Sequence, residues 1–149
     1  MNITYQDIKS FMTQYFKDYS THAQDRESMP KMNRYWTTDF VPRAYMRLKD
    51  GEYPLTCKDR QAWQEFLIEG HLKIIEELIL KEIMIDVETM KATALLNVKK
   101  FDRATSKLLC NLDGIGYYNL IVDADGSLKI RSLDFFCGDP AQLGALYDI

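Results

Sequence analysis

The hydrophobic positions at the start of the chain recur with the spacing of an amphipathic helix. Thr4 followed by Asp7 has the pattern of a capping box and predicts that a first helix opens here. Its apolar stripe is unusually aromatic and consists of Ile8, Phe11, Met12, Tyr15, Phe16 and Tyr19. Residues 21–27 are polar and predict a loop. Ser28 as N-cap then predicts a short second helix that ends near Thr38.

The clearest periodic signal is an apolar face that runs at helical spacing from Trp63 to Leu78. It predicts a third helix that continues past Gly70, although glycine at this point weakens a helix by about 1 kcal/mol relative to alanine. The alternative ends the helix at Gly70 and begins a strand at Leu72. The acidic pair at 76–77 and the unbroken apolar face favour the longer helix.

Beyond the third helix the hydrophobic period changes to two, which indicates β-strands. The predicted strands cover residues 79–87, 90–101, 108–122 and 128–137, and a shorter one begins after Pro42. Turns are predicted at 49–51 and at Asp125-Gly126, and the glycines at 114 and 116 predict a bulge or a bend. On the last strand, Ile130, Asp134 and Phe136 share one predicted face.

Helices that precede a series of strands are typical of the α+β class. We therefore expect one domain over residues 1–149, with residues 139–149 as a C-terminal tail. In this domain N-terminal helices pack on a strongly curved, mainly antiparallel sheet.

The composition limits the classes of function. Aromatic residues make up 12% of the chain, which suggests a core or cavity lined by large side chains. A net charge of −3 argues against nucleic-acid binding. The three cysteines are far apart and form no CxxC motif, so neither a zinc site nor a disulfide framework is expected. Without a secretory signal or a long apolar run, we expect a cytoplasmic protein with no membrane contact. We also expect no cofactor.

Four short segments carry a resemblance to a known family: residues 35–40, 59–66, 83–94 and 129–138. They resemble the cone-shaped, cystatin-like family shared by nuclear transport factor 2, SnoaL-type cyclases, scytalone dehydratase and ketosteroid isomerase. The resemblance covers residues 3–138 and implies a homodimer that forms through the sheet face. Because this fold hosts many functions, the resemblance does not name a reaction.

The family's catalytic patterns can be compared with this sequence. The isomerase pattern needs acids where this chain has Ala44 and Tyr118, so ketosteroid-type isomerisation is not expected. The dehydratase pattern combines tyrosine, aspartate and histidine, which Tyr15 (or Tyr19), Asp39 and His71 would approximate. His71 would serve as a general base, and Asp39, if buried in the cone, would orient it. The alternative is that both are ordinary structural residues.

Other residues could contact a ligand without taking part in a reaction. They are large aromatic side chains and one acid, namely Tyr19, Trp36, Tyr45, Trp63, Phe101, Tyr118, Asp134 and Phe136. Asp134 could instead pair with Arg131 or Arg43 at an interface. Three functions stay open: binding a small apolar or aromatic molecule, lyase or isomerase chemistry, and a dimerising association module.

Overall fold

The computed structural model describes residues 2–48 and 51–138. In chain order the elements are helix α1 (Tyr5–Gln24), a 3-10 helix (Arg26–Arg34), strands β1 (Trp36–Leu48) and β2 (Gly51–Thr56), helix α2 (Arg60–Gly70), and strands β3 (Ile74–Asp86), β4 (Lys91–Asp102), β5 (Leu108–Val122) and β6 (Leu128–Gly138). The predicted tail at 139–149 and most of the predicted turn at 49–51 lie outside the described residues.

The strands form one six-stranded sheet in the order β2-β1-β6-β5-β4-β3. Neighbouring strands are antiparallel except β1 and β6, which are parallel. The helices and one face of the sheet share a single large buried core. The α+β class and the mainly antiparallel sheet are therefore confirmed. Strands β1 and β2 lie between the second and third helices, where a short strand was predicted after Pro42, and the other four strands follow α2.

The first helix opens as predicted. The Thr4 side chain accepts a hydrogen bond from the Asp7 backbone N–H at 3.1 Å, and the Asp7 carboxylate accepts one from the Thr4 backbone N–H at 2.8 Å. The helix extends into the predicted loop because Ala23, one turn beyond Tyr19, is fully buried. The second helix is 3-10 and ends at Arg34, so its predicted end near Thr38 is wrong.

Helix α2 ends at Gly70, so the predicted continuation to Leu78 is wrong. The backbone N–H of His71 bonds to the carbonyl of Leu67 at 3.0 Å and closes the last turn. The chain then enters β3 at Ile74 and pairs with β4. Ile74 and Leu78 line the inner face and Ile75 lies on the opposite face, so apolar residues on both faces of one strand imitate a helical period here.

A second irregularity decides which side chains of β6 face the core. Arg131 has no partner in the register between β5 and β6, so the strand gains one extra residue there. Ile130 is buried before this point and Leu133 is buried after it. Asp134 and Phe136 therefore lie on the outer face, and the face predicted for them is wrong.

The tight turn predicted at Asp125-Gly126 is present, and Gly126 adopts a φ of +86° there. Within the ranges 2–48 and 51–138, no helix is both long enough and apolar enough to cross a membrane.

Candidate functional site

A cavity of about 170 Å³ lies between the inner face of the sheet and helices α1 and α2. Most of its lining is apolar or aromatic and consists of Tyr15, Ala44, Leu55, Trp63, Phe66, Leu67, Ile74, Leu78, Val98, Tyr118, Leu133, Phe135 and Cys137. Its strongly polar lining consists of Tyr19, His71, Glu76 and Lys100, which we call the polar cluster. The cavity is thus an apolar space with one group of polar side chains in its wall.

Two glycines of β5 leave room for aromatic rings that line this cavity. A Cβ atom on Gly116 would lie 2.5 Å from the Tyr118 ring, and one on Gly114 would lie 2.7 Å from the Phe135 ring. Such distances are much shorter than a carbon–carbon contact. The predicted bulge at these glycines is absent, since the register runs unbroken from Asn111 through Asn119.

The polar cluster is assembled from three elements and a turn. Tyr19 comes from α1, His71 from the turn after α2, Glu76 from β3 and Lys100 from β4. Glu76 and Lys100 are directly opposed in the register of the two strands. The Tyr19 hydroxyl donates to Glu76 Oε1 at 2.7 Å, and Lys100 Nζ lies 3.5 Å from Glu76 Oε2.

The charges in this cluster stabilise one another. Burial alone would raise the pKa of the Glu76 carboxyl, but its three neighbours, the His71 ring first, outweigh burial and lower that pKa to about 2. Burial alone would lower the pKa of Lys100, but the Glu76 carboxylate outweighs it and raises that pKa. Burial, followed by the charge of Glu76, raises the pKa of Tyr19 well above its ordinary value. At neutral pH the cluster therefore holds a carboxylate, an ammonium and a neutral hydroxyl.

These protonation states limit the chemistry of the cluster. A carboxyl with so low a pKa is a weak base, and a charged amine has no lone pair with which to attack a carbonyl. Glu76 and Lys100 therefore suit binding and orientation better than proton abstraction or covalent catalysis.

His71 is the member of the cluster that suits proton transfer. Its side chain is 4% exposed, and its Nε2 lies 3.8 Å from Glu76 Oε1, within ion-pair range but beyond a hydrogen bond. Its Nδ1 is buried and has no hydrogen-bond partner among the described residues. An imidazole beside a carboxylate is a common arrangement for general acid–base work.

Arg103 holds the turn that carries His71. Its guanidinium donates to the carbonyls of His71 at 2.9 Å and Ile74 at 3.1 Å. It also donates to the carbonyls of Ala23 and Gln24 at the end of α1. One side chain thus ties α1 to the turn between α2 and β3, and this fixes the place where His71 enters the cavity wall.

Five of the residues singled out from the sequence are brought together by the fold. Tyr15, Tyr19, Trp63, His71 and Tyr118 all line the cavity. Whether any of them contacts a ligand or takes part in a reaction stays a prediction.

Asp39 lies elsewhere. Its side chain is 68% exposed on β1, with Arg131 at 3.9 Å. Asp39 is not buried in the cone, so the prediction that it orients His71 in the cavity wall is wrong. The carboxylate next to His71 is Glu76.

Asp134, Phe136 and Tyr45 also lie outside the lining. Asp134 forms an ion pair with Arg43 at 2.7 Å, as the alternative interpretation predicted. The ring of Phe136, a residue that is 47% exposed, lies 6.2 Å from that of Tyr45. The prediction that they line the cavity is wrong for these three. The extra residue in β6 turns Asp134 and Phe136 to the outer face, and Tyr45 follows Ala44, which lines the cavity, so it faces the other side of β1.

Trp36 and Phe101 complete the predicted set. Trp36 is fully buried in the core and stacks on Phe40 with ring centroids 5.5 Å apart. Phe101 follows Lys100 at a bulge near the end of β4. Neither belongs to the described lining of the cavity, and contact of either with a ligand stays a prediction.

Sequence reasoning missed Glu76 and Lys100 as site residues. Glu76 was interpreted as part of an acidic pair on a long third helix, and Lys100 was not singled out. The signal that would identify them is a charged residue on the inner face of each of two paired strands. That signal becomes visible only when β3 is recognised as a strand. Within the described part of the chain, no group of three or more His, Cys, Asp and Glu side chains is placed to hold a metal ion.

Comparison with known proteins supports the fold. No family model and no curated sequence matches the chain. Among solved structures, ActVI-ORFA from Streptomyces coelicolor is similar over 89% of this chain and 96% of its own, with 17% identity and a TM-score of 0.63. A ketosteroid isomerase-like protein from Erwinia carotovora atroseptica is similar over 87% and 92%, with 13% identity and a TM-score of 0.59.

A protein with a cystatin-like fold from Methylobium petroleophilum is also similar, over 88% of this chain and 78% of its own, with 16% identity and a TM-score of 0.60. At these identities the likeness shows the fold alone. The resemblance stated from the sequence is confirmed at that level, and the chain has the nuclear transport factor 2-like, SnoaL-like cone fold.

Proposed function

We propose that this cone-fold protein binds a small, mostly apolar molecule in the cavity between its helices and its sheet. The observation that carries the proposal is a largely apolar cavity of about 170 Å³ with the polar cluster in its wall. Ligand sites commonly combine an apolar lining with a few polar groups that fix orientation.

The volume sets the size of the ligand. An apolar cavity of about 150 Å³ in another protein binds benzene. A cavity of about 170 Å³ therefore suits a molecule built on one ring. Phe66 lines the cavity and is partly exposed, which supports a mouth at that side where a ligand enters.

The test is a titration of the 15N-labelled chain with toluene, benzyl alcohol and cyclohexanone, followed by two-dimensional NMR. We expect shifts confined to residues around the cavity. Val98→Phe, on the inner face of β4, should fill the space and weaken binding at least tenfold. Leu95→Phe makes the same kind of change on the opposite face of β4 and should leave binding unaltered. Equal weakening by both variants, or no binding of any compound, would contradict the proposal.

A second candidate is an enzyme that removes a proton next to a carbonyl group, the step shared by many isomerases, lyases and cyclases. His71 beside Glu76 supports it, as does the likeness to a ketosteroid isomerase-like protein. In this reaction a ring nitrogen of His71 takes a proton from the α-carbon, and the electron pair of the C–H bond moves into an enolate.

This candidate can be tested without knowledge of the natural substrate. In D2O, a catalytic amount of the chain should exchange the α-protons of cyclohexanone, as measured by loss of their 1H signal. His71→Ala should abolish the exchange. His22→Ala is the matched control, because His22 bonds to Ser28 and does not line the cavity. Exchange that persists in His71→Ala would remove the enzymatic candidate and leave the binding proposal intact.

Association through the outer face of the sheet is also proposed. Tyr117 and Phe136 are large, about half exposed and in ring contact on this face. Apolar area of this kind is stabilised by burial against a second copy of the chain. Light scattering at micromolar concentration should give a dimer, and Phe136→Glu should give a monomer. A monomeric wild-type chain would rule the dimer out.

A cytoplasmic location fits the cysteines. All three are free, and Cys57 and Cys137 are buried. Burial raises the pKa of the Cys137 thiol to about 12, which makes it an unreactive packing residue. Free thiols of this kind are typical of reducing compartments. Fractionation of cells that produce the tagged chain would test the location.

A further inference from the structure

We propose that the ligand carries an anionic oxygen, such as a carboxylate, and that Lys100 receives it. This inference rests on the proposed binding function and adds the chemical class of the ligand's polar end. Three observations bear on it: the use of the acceptors in the cluster, the unused donors in the lining, and the balance of charge.

Each carboxylate oxygen of Glu76 already has one donor beside it, although a carboxylate offers about four lone-pair sites. Its Oε1 accepts from the Tyr19 hydroxyl at 2.7 Å, and its Oε2 faces Lys100 Nζ at 3.5 Å. An ammonium group has three N–H donors. Among the described side chains, Glu76 is the acid that pairs with Lys100, so donors of this ammonium group stay available to a ligand.

A further donor lies in the lining. The indole Nε1 of Trp63 is buried and has no acceptor among the described residues. A buried donor without an acceptor is destabilising by roughly 1–3 kcal/mol. Nδ1 of His71, also buried and without a partner, donates or accepts according to its tautomer, so Trp63 Nε1 is a fixed unpartnered donor with no fixed unpartnered acceptor beside it among the described buried lining atoms, which favours a ligand that accepts.

The balance of charge does not oppose an anion. Glu76 and Lys100 are the acidic and basic side chains in the described lining, and they neutralise each other. A cationic ligand would lie beside Lys100, and an anionic ligand would lie beside Glu76, so the unused donors of Lys100 and Trp63 decide between them. An anionic ligand would meet the donors of Lys100 in a mostly apolar space, where charge-assisted hydrogen bonds are strong.

Three ring compounds of nearly the same shape distinguish these possibilities: benzoate, benzamide and benzamidine, which are anionic, neutral and cationic. Each is titrated into the 15N-labelled full chain at pH 7, and the dissociation constant is taken from the NMR shifts. We expect benzoate to bind at least tenfold more tightly than benzamidine, with benzamide between them. Benzamidine binding as tightly as benzoate would overturn the inference.

Lys100→Met removes the ammonium group and leaves Glu76 as the charge in the wall. The order of affinity should then reverse, so that benzamidine binds more tightly than benzoate. Lys99→Met is the matched control, because Lys99 is the neighbouring residue of β4 on the opposite face, and it should keep the wild-type order.

The outcomes separate the two proposals. Binding of toluene and benzamide without benzoate overturns the anionic class and leaves the binding function standing. Failure of all of these compounds to bind overturns both. If Lys100→Met does not fold, the comparison of the three compounds on the wild-type chain still decides the inference.

Discussion

Replacing Glu76 by glutamine should change how the stability of the protein depends on pH. The folded state lowers the pKa of this carboxyl from 4.5 to about 2. A group whose pKa is lower in the folded state stabilises the fold above its unfolded pKa, and this contribution is lost as the pH falls. The Glu76 carboxylate therefore adds about 3 kcal/mol to the free energy of unfolding above pH 5. About 2 kcal/mol of this contribution is lost by pH 3.

The measurement is the free energy of unfolding in urea at pH 6.5 and at pH 3. Glu76→Gln keeps the shape of the side chain and an acceptor for Tyr19, but it has no charge to lose. Other carboxylates contribute to acid sensitivity in both proteins, so the informative quantity is the difference between wild type and variant. The free energy of unfolding of wild type minus that of Glu76→Gln should be about 2 kcal/mol smaller at pH 3 than at pH 6.5.

Glu77→Gln is the control, because Glu77 is the next residue of β3 and faces the other side of the sheet. Its difference from wild type should change little with pH. If the Glu76→Gln difference is the same at both pH values, the Glu76 carboxylate is not held in its charged form by the cluster. The electrostatic account of the cavity would then be refuted.

Two further substitutions test the walls of the cavity. Gly116→Ala should lower the free energy of unfolding by about 1–3 kcal/mol, measured in urea, because its methyl group would force the Tyr118 ring away; unchanged stability would mean that the ring has room to move. Arg103→Met should lower it by at least about 2 kcal/mol, because carbonyls in two elements lose a charged donor. Arg103→Lys should recover part of that loss. If Arg103→Lys loses as much stability as Arg103→Met, a positive charge alone does not hold the turn.

The parts of the fold that depend on local information were accessible from the sequence. The capping box at Thr4 and the stripe through Tyr15 and Tyr19 concern residues three or four apart, and they predict the start and the buried face of α1 correctly. Strand β5 was also predicted with its observed bounds. In each case the pattern and the structure it reports lie within one element.

The parts that depend on pairing between strands were not accessible. The extra residue Arg131 is visible only in the register of β6 against β5, and it decides that Phe136 faces outward. Glu76 and Lys100 meet only through the register of β3 against β4, 24 positions apart in the numbering. Hydrophobic pattern alone does not fix such registers where bulges occur.

The ion pair of Glu76 and Lys100, whose side chains are 13% and 25% exposed, raises the question of whether it stabilises the fold or serves a ligand. Removing water from two charges is costly, and a well-packed apolar pair of similar volume is often as stable or more stable. Removing one partner leaves an unpaired buried charge and destabilises by about 3–5 kcal/mol. Urea unfolding of single and double variants of Glu76 and Lys100 separates these effects.

We expect Glu76→Leu and Lys100→Met each to lose several kcal/mol, and the double variant to regain most of that loss. The double variant should also lose the preference for benzoate over benzamidine, because its wall carries no charge. Such a result would assign the pair to ligand selection. If the double variant is less stable than either single variant, the pair of Glu76 and Lys100 instead stabilises the pairing of β3 with β4.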